Sequence, residues 1–259
     1  MNSDSETENY MGVQTLEDKW VYYLQKNYRQ GFAERLRYRM DLHFRSLPLK
    51  NRSVLEIGAG EGFLSAFCAV RGASRVVALE PEAPGSTNGV RQEFARMSSA
   101  LGLAGIVDYR HDKFEEFAGG FTGEPFDYIL MCAVINHLDE NAASRLHLPE
   151  AGAERETFIS IFRKMYGLLK RGGRLVTSDV GRNNFWNLIG MRIFITRTIQ
   201  WDKHQQPEVW QRLLAEAGFD SVDIRWYNLF RLRKFAFLFC RRLPAYFASS
   251  AFIITASKG

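Results

Sequence analysis

The chain has few cysteines and prolines, and no long apolar run. Its 259 residues include three cysteines (Cys68, Cys132 and Cys240) and seven prolines. The odd count, the wide spacing and the lack of a C-x-x-C pair exclude a disulfide framework and a zinc or dithiol redox site. They read as reduced thiols of a cytoplasmic protein. No stretch of about 18 uncharged apolar residues occurs, which excludes a transmembrane helix. The opening MNSDSETENY carries no apolar segment, so residues 1–12 read as a disordered tail and not as a signal peptide. No internal repeat or low-complexity tract is visible. A net charge of +5 mildly favours anionic partners and decides nothing alone. What remains is a chain with 46% hydrophobic residues, enough for a full core, and a length that suits one α/β domain over 13–259.

The most informative stretch is VLEIGAGEG, residues 54 to 62. Val54, Leu55 and Ile57 make a buried strand that runs into glycines at alternate positions. Gly58, Gly60 and Gly62 expose backbone N–H groups for close approach by a ligand. Glu56 sits at the carboxyl end of the strand, where open α/β sheets place their ligands. The spacing is G-x-G-x-G, with Phe63 where a dinucleotide fold would carry its last glycine. An acid at the strand end suits a ligand bearing an ammonium group.

Strands are expected at 53–57, 75–80, 105–110, 126–134 and 174–179, with helices at 63–71, 87–101 and 152–169 between them. This alternation implies a parallel, doubly wound sheet. Residues 13–48 carry apolar positions at helical spacing and read as a helical cap over the sheet or the site. Two inserts, 181–207 and 231–247, interrupt the rhythm afterwards. SVDIRWYNLF and the closing AFIITASK read as further strands.

The glycine turn resembles motif I of the class I S-adenosylmethionine-dependent methyltransferases. That resemblance implies a Rossmann-like sheet of seven strands, mostly parallel, with the last strand antiparallel. It implies S-adenosylmethionine as cofactor, with Glu56 facing the methionine amino group and Gly58, Ala59, Gly60 and Gly62 lining the turn. Glu80, followed by Pro81, ends the second strand 22 residues after Gly58 and can accept two hydrogen bonds from a ribose diol. Asp112 in YRHDKF resembles the family residue that accepts from the adenine amino group, with Lys113 and Phe114 flanking the ring. Cys132 and Ala133, at the end of the fourth strand, lie where family backbone groups line the sulfonium. LLKRGGRLV resembles the family's late motif, a marker of the fold. Aminopropyltransferases share the turn but need an acidic loop earlier than MCAVINHLDE provides. No N-P-P-Y or D-P-P-Y tetrapeptide follows the fourth strand, so the base-amine and glutamine N-methyltransferase signature is missing.

Two histidines are candidate bases for the acceptor. His137 in VINHLDE lies where the family carries a functional loop, and it reads either as a general base or as an organiser of that loop. Asp139 or Glu140 reads as a cap of the following helix. His204 in WDKHQQPEVW, a pattern resembling bacterial methyltransferases of this size, reads either as site-lining or as a cap before Pro207. A metal reading from Asp179, Asn183 and Asn184 lacks a matching acid in LMCAVIN, so no metal is expected.

Arg231, Arg233, Lys234, Arg241 and Arg242 flank the apolar FAFLFC, which is too short to span a bilayer. The segment reads as a sheet-edge insert, an interfacial patch for anionic lipid, or a nucleic-acid contact. Arg192, Arg197, Phe185, Trp186, Phe194 and Trp201 give the preceding insert a similar character. The resulting expectation is methyl transfer, to oxygen, on a small-molecule or glycan or lipid-linked acceptor. The rivals are an inactive cofactor-binding protein, peripheral to a membrane, and an RNA methyltransferase.

Overall fold

The strands fall where the apolar runs lie, and their lengths follow from local backbone chemistry. A computed structural model describes residues 15–44, 46–81, 89–191, 199–227 and 241–259. The predicted tail, Arg192, Phe194, Arg197, Arg231, Arg233, Lys234 and Cys240 lie outside the described residues. Seven strands form one sheet of order β3-β2-β1-β4-β5-β7-β6, and the chain divides into two compact units at Asp112/Lys113.

The first unit comprises α1 (Leu16–Asn27), α2 (Phe32–Phe44), β1 (Ser53–Ile57), α3 (Phe63–Val70), β2 (Arg75–Leu79), α4 (Val90–Leu101) and β3 (Val107–Arg110). β1 pairs parallel with β2, and β2 parallel with β3, aligning Glu56 with Ala78 and Leu79 with Arg110. All five residues of β1 are buried, as expected of a parallel strand covered on both faces. A capping box starts α1: the Asp18 N–H donates to Thr15 Oγ1 at 3.1 Å, and the Thr15 N–H donates to Asp18 Oδ2 at 3.2 Å. This helix buries Trp20 against Phe67 of α3, ring centroids 5.8 Å apart. A wholly buried aromatic of this size contributes about 3 kcal/mol or more.

The second unit comprises α5 (Phe114–Gly120), β4 (Phe126–Cys132), α6 (Glu140–Arg145), α7 (Gly152–Leu168), β5 (Leu169–Val180), α8 (Phe185–Leu188), α9 (Pro207–Glu216), β6 (Ser221–Trp226), α10 (Arg242–Tyr246) and β7 (Ala251–Ser257). β4 and β5 are parallel, while β7 is antiparallel to both β5 and β6. Phe158 and Phe162 of α7 meet Trp210 of α9 at 4.9 and 6.2 Å, the centre of this unit's helical layer.

Several boundaries shift from the expectation, and two of the shifts have a clear local cause. The fourth strand stops at Cys132, two residues early, because Ala133 takes a left-handed backbone with φ of 59°. The fifth strand begins at Leu169 and contains the Gly172–Gly173 pair, instead of starting after it. There the Gly172 N–H donates to Lys258 O at 2.8 Å and the Lys258 N–H donates to Gly173 O at 2.9 Å, so β7's end brackets the arch. A Cβ on Gly173 would stand 2.8 Å from Lys170 O, which explains why only glycine fits.

Candidate functional site

In the first unit, the site is built on the turn between β1 and α3. The N–H groups of Gly58 and Ala59 both donate to Leu79 O, at 2.8 and 2.9 Å, which ties the turn to the end of β2. The Gly60 N–H donates to Glu80 Oε2 at 2.7 Å, and Tyr109 Oη donates to Gly60 O at 2.7 Å. Gly60 has φ of 52°, and a Cβ placed on it would meet nothing within 4 Å, so the turn presents bare backbone to open space. Gly62 has a different reason. A Cβ there would stand 2.3 Å from Phe94 Cδ2, and Phe94 stacks on Tyr109 with centroids 4.4 Å apart. Gly62 is therefore demanded by packing beneath the turn, whereas Gly60 leaves a cradle above it.

Glu56 is buried, and its carboxylate accepts from Ser65 Oγ of α3. Burial pushes its carboxyl up to about 8, outweighing the Ser65 hydrogen bonds that favour the ionised form; the charge of Glu80 adds to the rise. In the absence of a cation it is thus held largely neutral at pH 7. Over the same turn, Tyr28 stacks on Phe32 at 4.7 Å and meets Phe63 edge-on at 5.3 Å. Tyr28 Oη donates to Glu61 Oε2 at 3.0 Å, and burial raises its phenol well above the ordinary range. The N-terminal helices thereby reach the turn itself. Pro81 follows Glu80 directly and is partly exposed. Asp112 is half exposed and lies 4.0 Å from Arg110 Nη1.

In the second unit, Lys113 is exposed at the start of α5, while Phe114 is buried in the helix's packing face. Cys132 is partly exposed at the end of β4, with Ser178 Oγ 3.5 Å from its sulfur. Ala133 is exposed, and its N–H donates to Ser178 O at 2.7 Å. A left-handed non-glycine costs roughly 1–2 kcal/mol, so this strand end is held in a strained form by its surroundings.

The two candidate histidines occupy different environments. His137 is half exposed and its Nδ1 lies 2.6 Å from Glu140 Oε1. Glu140 also accepts from Lys203 Nζ at 2.6 Å, and these contacts, Lys203 first, hold its carboxyl below the usual range. Asp139, not Glu140, caps α6, accepting from the Ala142 N–H at 2.9 Å. His204 is mostly buried, and it does not cap α9, whose N-cap residue is Gln206. Its Nδ1 lies 3.2 Å from Asp179 Oδ1 and 2.8 Å from Asn136 Nδ2. Asn136 Nδ2 also donates to Asp179 Oδ2 at 2.8 Å, and the Val180 N–H donates to Asp179 Oδ1 at 2.7 Å.

The 199–206 segment is clamped onto the 136–147 segment by three consecutive residues. Lys203 reaches Glu140, His204 reaches Asn136, and Gln205 Nε2 donates to Ala143 O at 2.6 Å. Arg182 Nη1 adds bonds to Asp202 O at 3.0 Å and to His147 Nδ1 at 3.2 Å. The partnership of Asp179 and Asn136 with His204 was not readable in the sequence, since the Asn136–Asp179 and Asn136–His204 contacts span 43 and 68 residues. The available signal was an acid at the end of the apolar strand LVTSDV. A His–Asp pair with Nδ1 on the carboxylate leaves Nε2 to exchange a proton with a substrate. Among the described residues, no cluster of three or more His, Cys, Asp or Glu is placed to hold a metal.

A family model described as "Methyltransferase domain" matches residues 27–238. The chain is similar to the ubiquinone biosynthesis O-methyltransferases of Rhizobium etli, at 29% identity over 185 residues, and of Cereibacter sphaeroides, at 31% over 184 residues. Each match covers 68% of this chain, and 63% and 64% respectively of the relatives, so the chain spans less than two thirds of their length. Among solved structures, a SAM-dependent methyltransferase from Archaeoglobus fulgidus superposes with a TM-score of 0.55 at 16% identity, covering 92% of this chain and 99% of that one. That likeness establishes the fold.

Proposed function

The chain belongs to the S-adenosylmethionine-dependent methyltransferase family, and on that premise we propose that it methylates a hydroxyl oxygen of a small molecule. The observation that carries the oxygen assignment is the buried Asp179–His204 pair, because an oxygen nucleophile needs a proton acceptor. The relatives named as O-methyltransferases support the same atom and acceptor class.

The residues of the first unit fit the donor. The open backbone at Gly60 offers a cradle for it, and Glu80, with one carboxylate oxygen on the turn, has the other for a ribose hydroxyl. Glu56 can answer an ammonium group by ionising, since burial is the chief reason it is protonated. When bound, S-adenosylmethionine supplies an electrophilic methyl carbon on a positively charged sulfur. His204 Nε2 would take the acceptor's hydroxyl proton as the C–O bond forms and the methyl carbon–sulfur bond breaks, and Asp179 would stabilise the resulting imidazolium through its Nδ1–H. His137, exposed and tied to Glu140, is assigned to holding the loop before α6. Turnover of a catechol and amine panel with methyl-labelled donor tests this reading. Labelled ethers from wild type, lost in His204→Gln with S-adenosylhomocysteine affinity retained, are the expected result; labelled amines alone would sink the oxygen assignment.

A second reading concerns where the acceptor resides. The large exposed hydrophobics among the described residues are Leu188, Ile189, Met191, Leu243 and Phe247. They lie on two short segments joined by Trp186 Nε1 donating to Phe247 O at 2.9 Å, with Arg241 and Arg242 alongside. Such a patch suits an interfacial site on anionic lipid and a lipid-linked acceptor. Co-flotation with anionic but not zwitterionic vesicles, abolished in Leu243→Glu/Phe247→Glu, is expected; no flotation of wild type would reject it.

A further inference from the structure

The proposal of His204 as proton acceptor leaves open which ring nitrogen carries its proton before an acceptor arrives. Three buried groups answer this. Asp179, as a carboxylate, can only accept, so the Asn136 side chain must turn its NH₂ and not its oxygen toward it. That nitrogen lies 2.8 Å from Asp179 Oδ2 and 2.8 Å from His204 Nδ1, one hydrogen for each. Asn136 Oδ1 is buried without a hydrogen-bond partner, so no other bond at that oxygen dictates the amide's orientation. The remaining oxygen of Asp179 accepts from the Val180 N–H at 2.7 Å and stands 3.2 Å from Nδ1. The neighbouring charges are engaged elsewhere, Lys203 with Glu140 and Arg182 with Asp202 O and His147.

An Nδ1 that accepts from Asn136 cannot hold a proton, and a neutral imidazole must then carry it on Nε2. In that form the reactive edge of His204 is a donor. To take an acceptor's proton at Nε2, the ring must first hold its own proton on Nδ1, facing Asp179 Oδ1. We infer that Asn136 is the positioning residue that sets the tautomer of His204, holding the resting ring in the Nε2–H form and yielding Nδ1 to Asp179 when the base is needed. Asn136 acts through His204 and Asp179 and touches no reacting atom in this role. The inference rests on the reading of His204 as base for its use, and on the geometry for its substance.

The test needs no knowledge of the acceptor. Nitrogen-15 imidazole shifts would be recorded at about pH 8.5, where histidine side chains are ordinarily neutral. The His204 signals are assigned by their loss in His204→Gln. Wild type should give an Nε2–H ring, and Asn136→Ala should convert it to mostly Nδ1–H on Asp179. S-adenosylhomocysteine titration, with affinity within about threefold of wild type, controls for folding, and Asn136→Ser provides a smaller change at the same site. An Nδ1–H ring in wild type, or the same tautomer in wild type and both folded variants, overturns the inference. If the tautomer switches as expected but His204→Gln methylates acceptors normally, the base assignment fails and the role of Asn136 stands.

Discussion

The glycine turn of the first unit and the His204 cluster of the second are held in opposite ways. The turn is fixed by backbone: two N–H groups on Leu79 O, one on Glu80, and a tyrosine hydroxyl on Gly60 O. Its side chains are few and its shape is set by left-handed glycines. The His204 cluster is fixed by side chains from three separate segments, with the chain around 199–206 clamped by Lys203 and Gln205 on either side. A backbone-built site tolerates exchange of most neighbouring side chains and fails when a Cβ is added. A side-chain cluster tolerates backbone variety and fails when one polar partner is removed, because the others are left buried and unpaired.

The sharpest way to break this contrast is at the cluster. His204→Gln should lower turnover by about 10²–10⁴-fold, and Asp179→Ala comparably, with donor affinity unchanged. A near-normal rate in both would remove catalysis from the second unit's cluster. The next effect concerns Glu56, whose carboxyl is raised from 4.5 to about 8 by burial. The folded protein then binds a proton more tightly than the unfolded chain, so this residue lowers stability as pH rises from about 5 to about 8. Below that window the cost vanishes. Glu56→Gln should therefore be more stable than wild type at pH 8.5, by up to ~4 kcal/mol, and equal to it near pH 4. Urea unfolding without cofactor at the two pH values decides it.

Gly62→Ala combines a left-handed alanine with a clash on Phe94 and should lose about 2–4 kcal/mol of stability. In a Phe94→Ala background, Gly62→Ala should cost only the backbone part, about 1–2 kcal/mol. Glu80→Ala should weaken S-adenosylhomocysteine by roughly 10–100-fold, a charge-assisted hydrogen bond or two, in isothermal titration. His137→Ala should change turnover less than about threefold, since it removes only an exposed contact with Glu140. A large loss there would return the base to the loop after β4.

The contrast also explains what could be read from residues alone. The turn lies within nine consecutive residues, and local rules for strands and glycines suffice to find it. Even so, the sequence offers one reason for three glycines, whereas Gly62 answers to Phe94 and not to a ligand. Glu56 was legible as an acid at a strand end, but its burial beneath Ser65 depends on how α3 returns over β1. His137 and His204 look equivalent in sequence because nothing local says which one meets a buried carboxylate. That is settled by the path of residues 199–206, a tertiary property. Gly172–Gly173 differs for a related reason: local rules start the strand only at 174, yet pairing with Lys258 keeps the two glycines within it.

The strand order carries one further consequence, for the way the chain reaches this fold. In the first unit each strand pairs with its predecessor in sequence, so the sheet there can grow as the chain is made. In the second, β7 lies between β5 and β6, and β6 pairs with β7 alone. During synthesis β6 must therefore wait with both edges bare, and β5 with one, until residues 251–257 arrive. The late half of the chain is the slow, aggregation-exposed half, and substitutions in β7 should appear first as lost soluble yield on expression, before any defect in the folded enzyme.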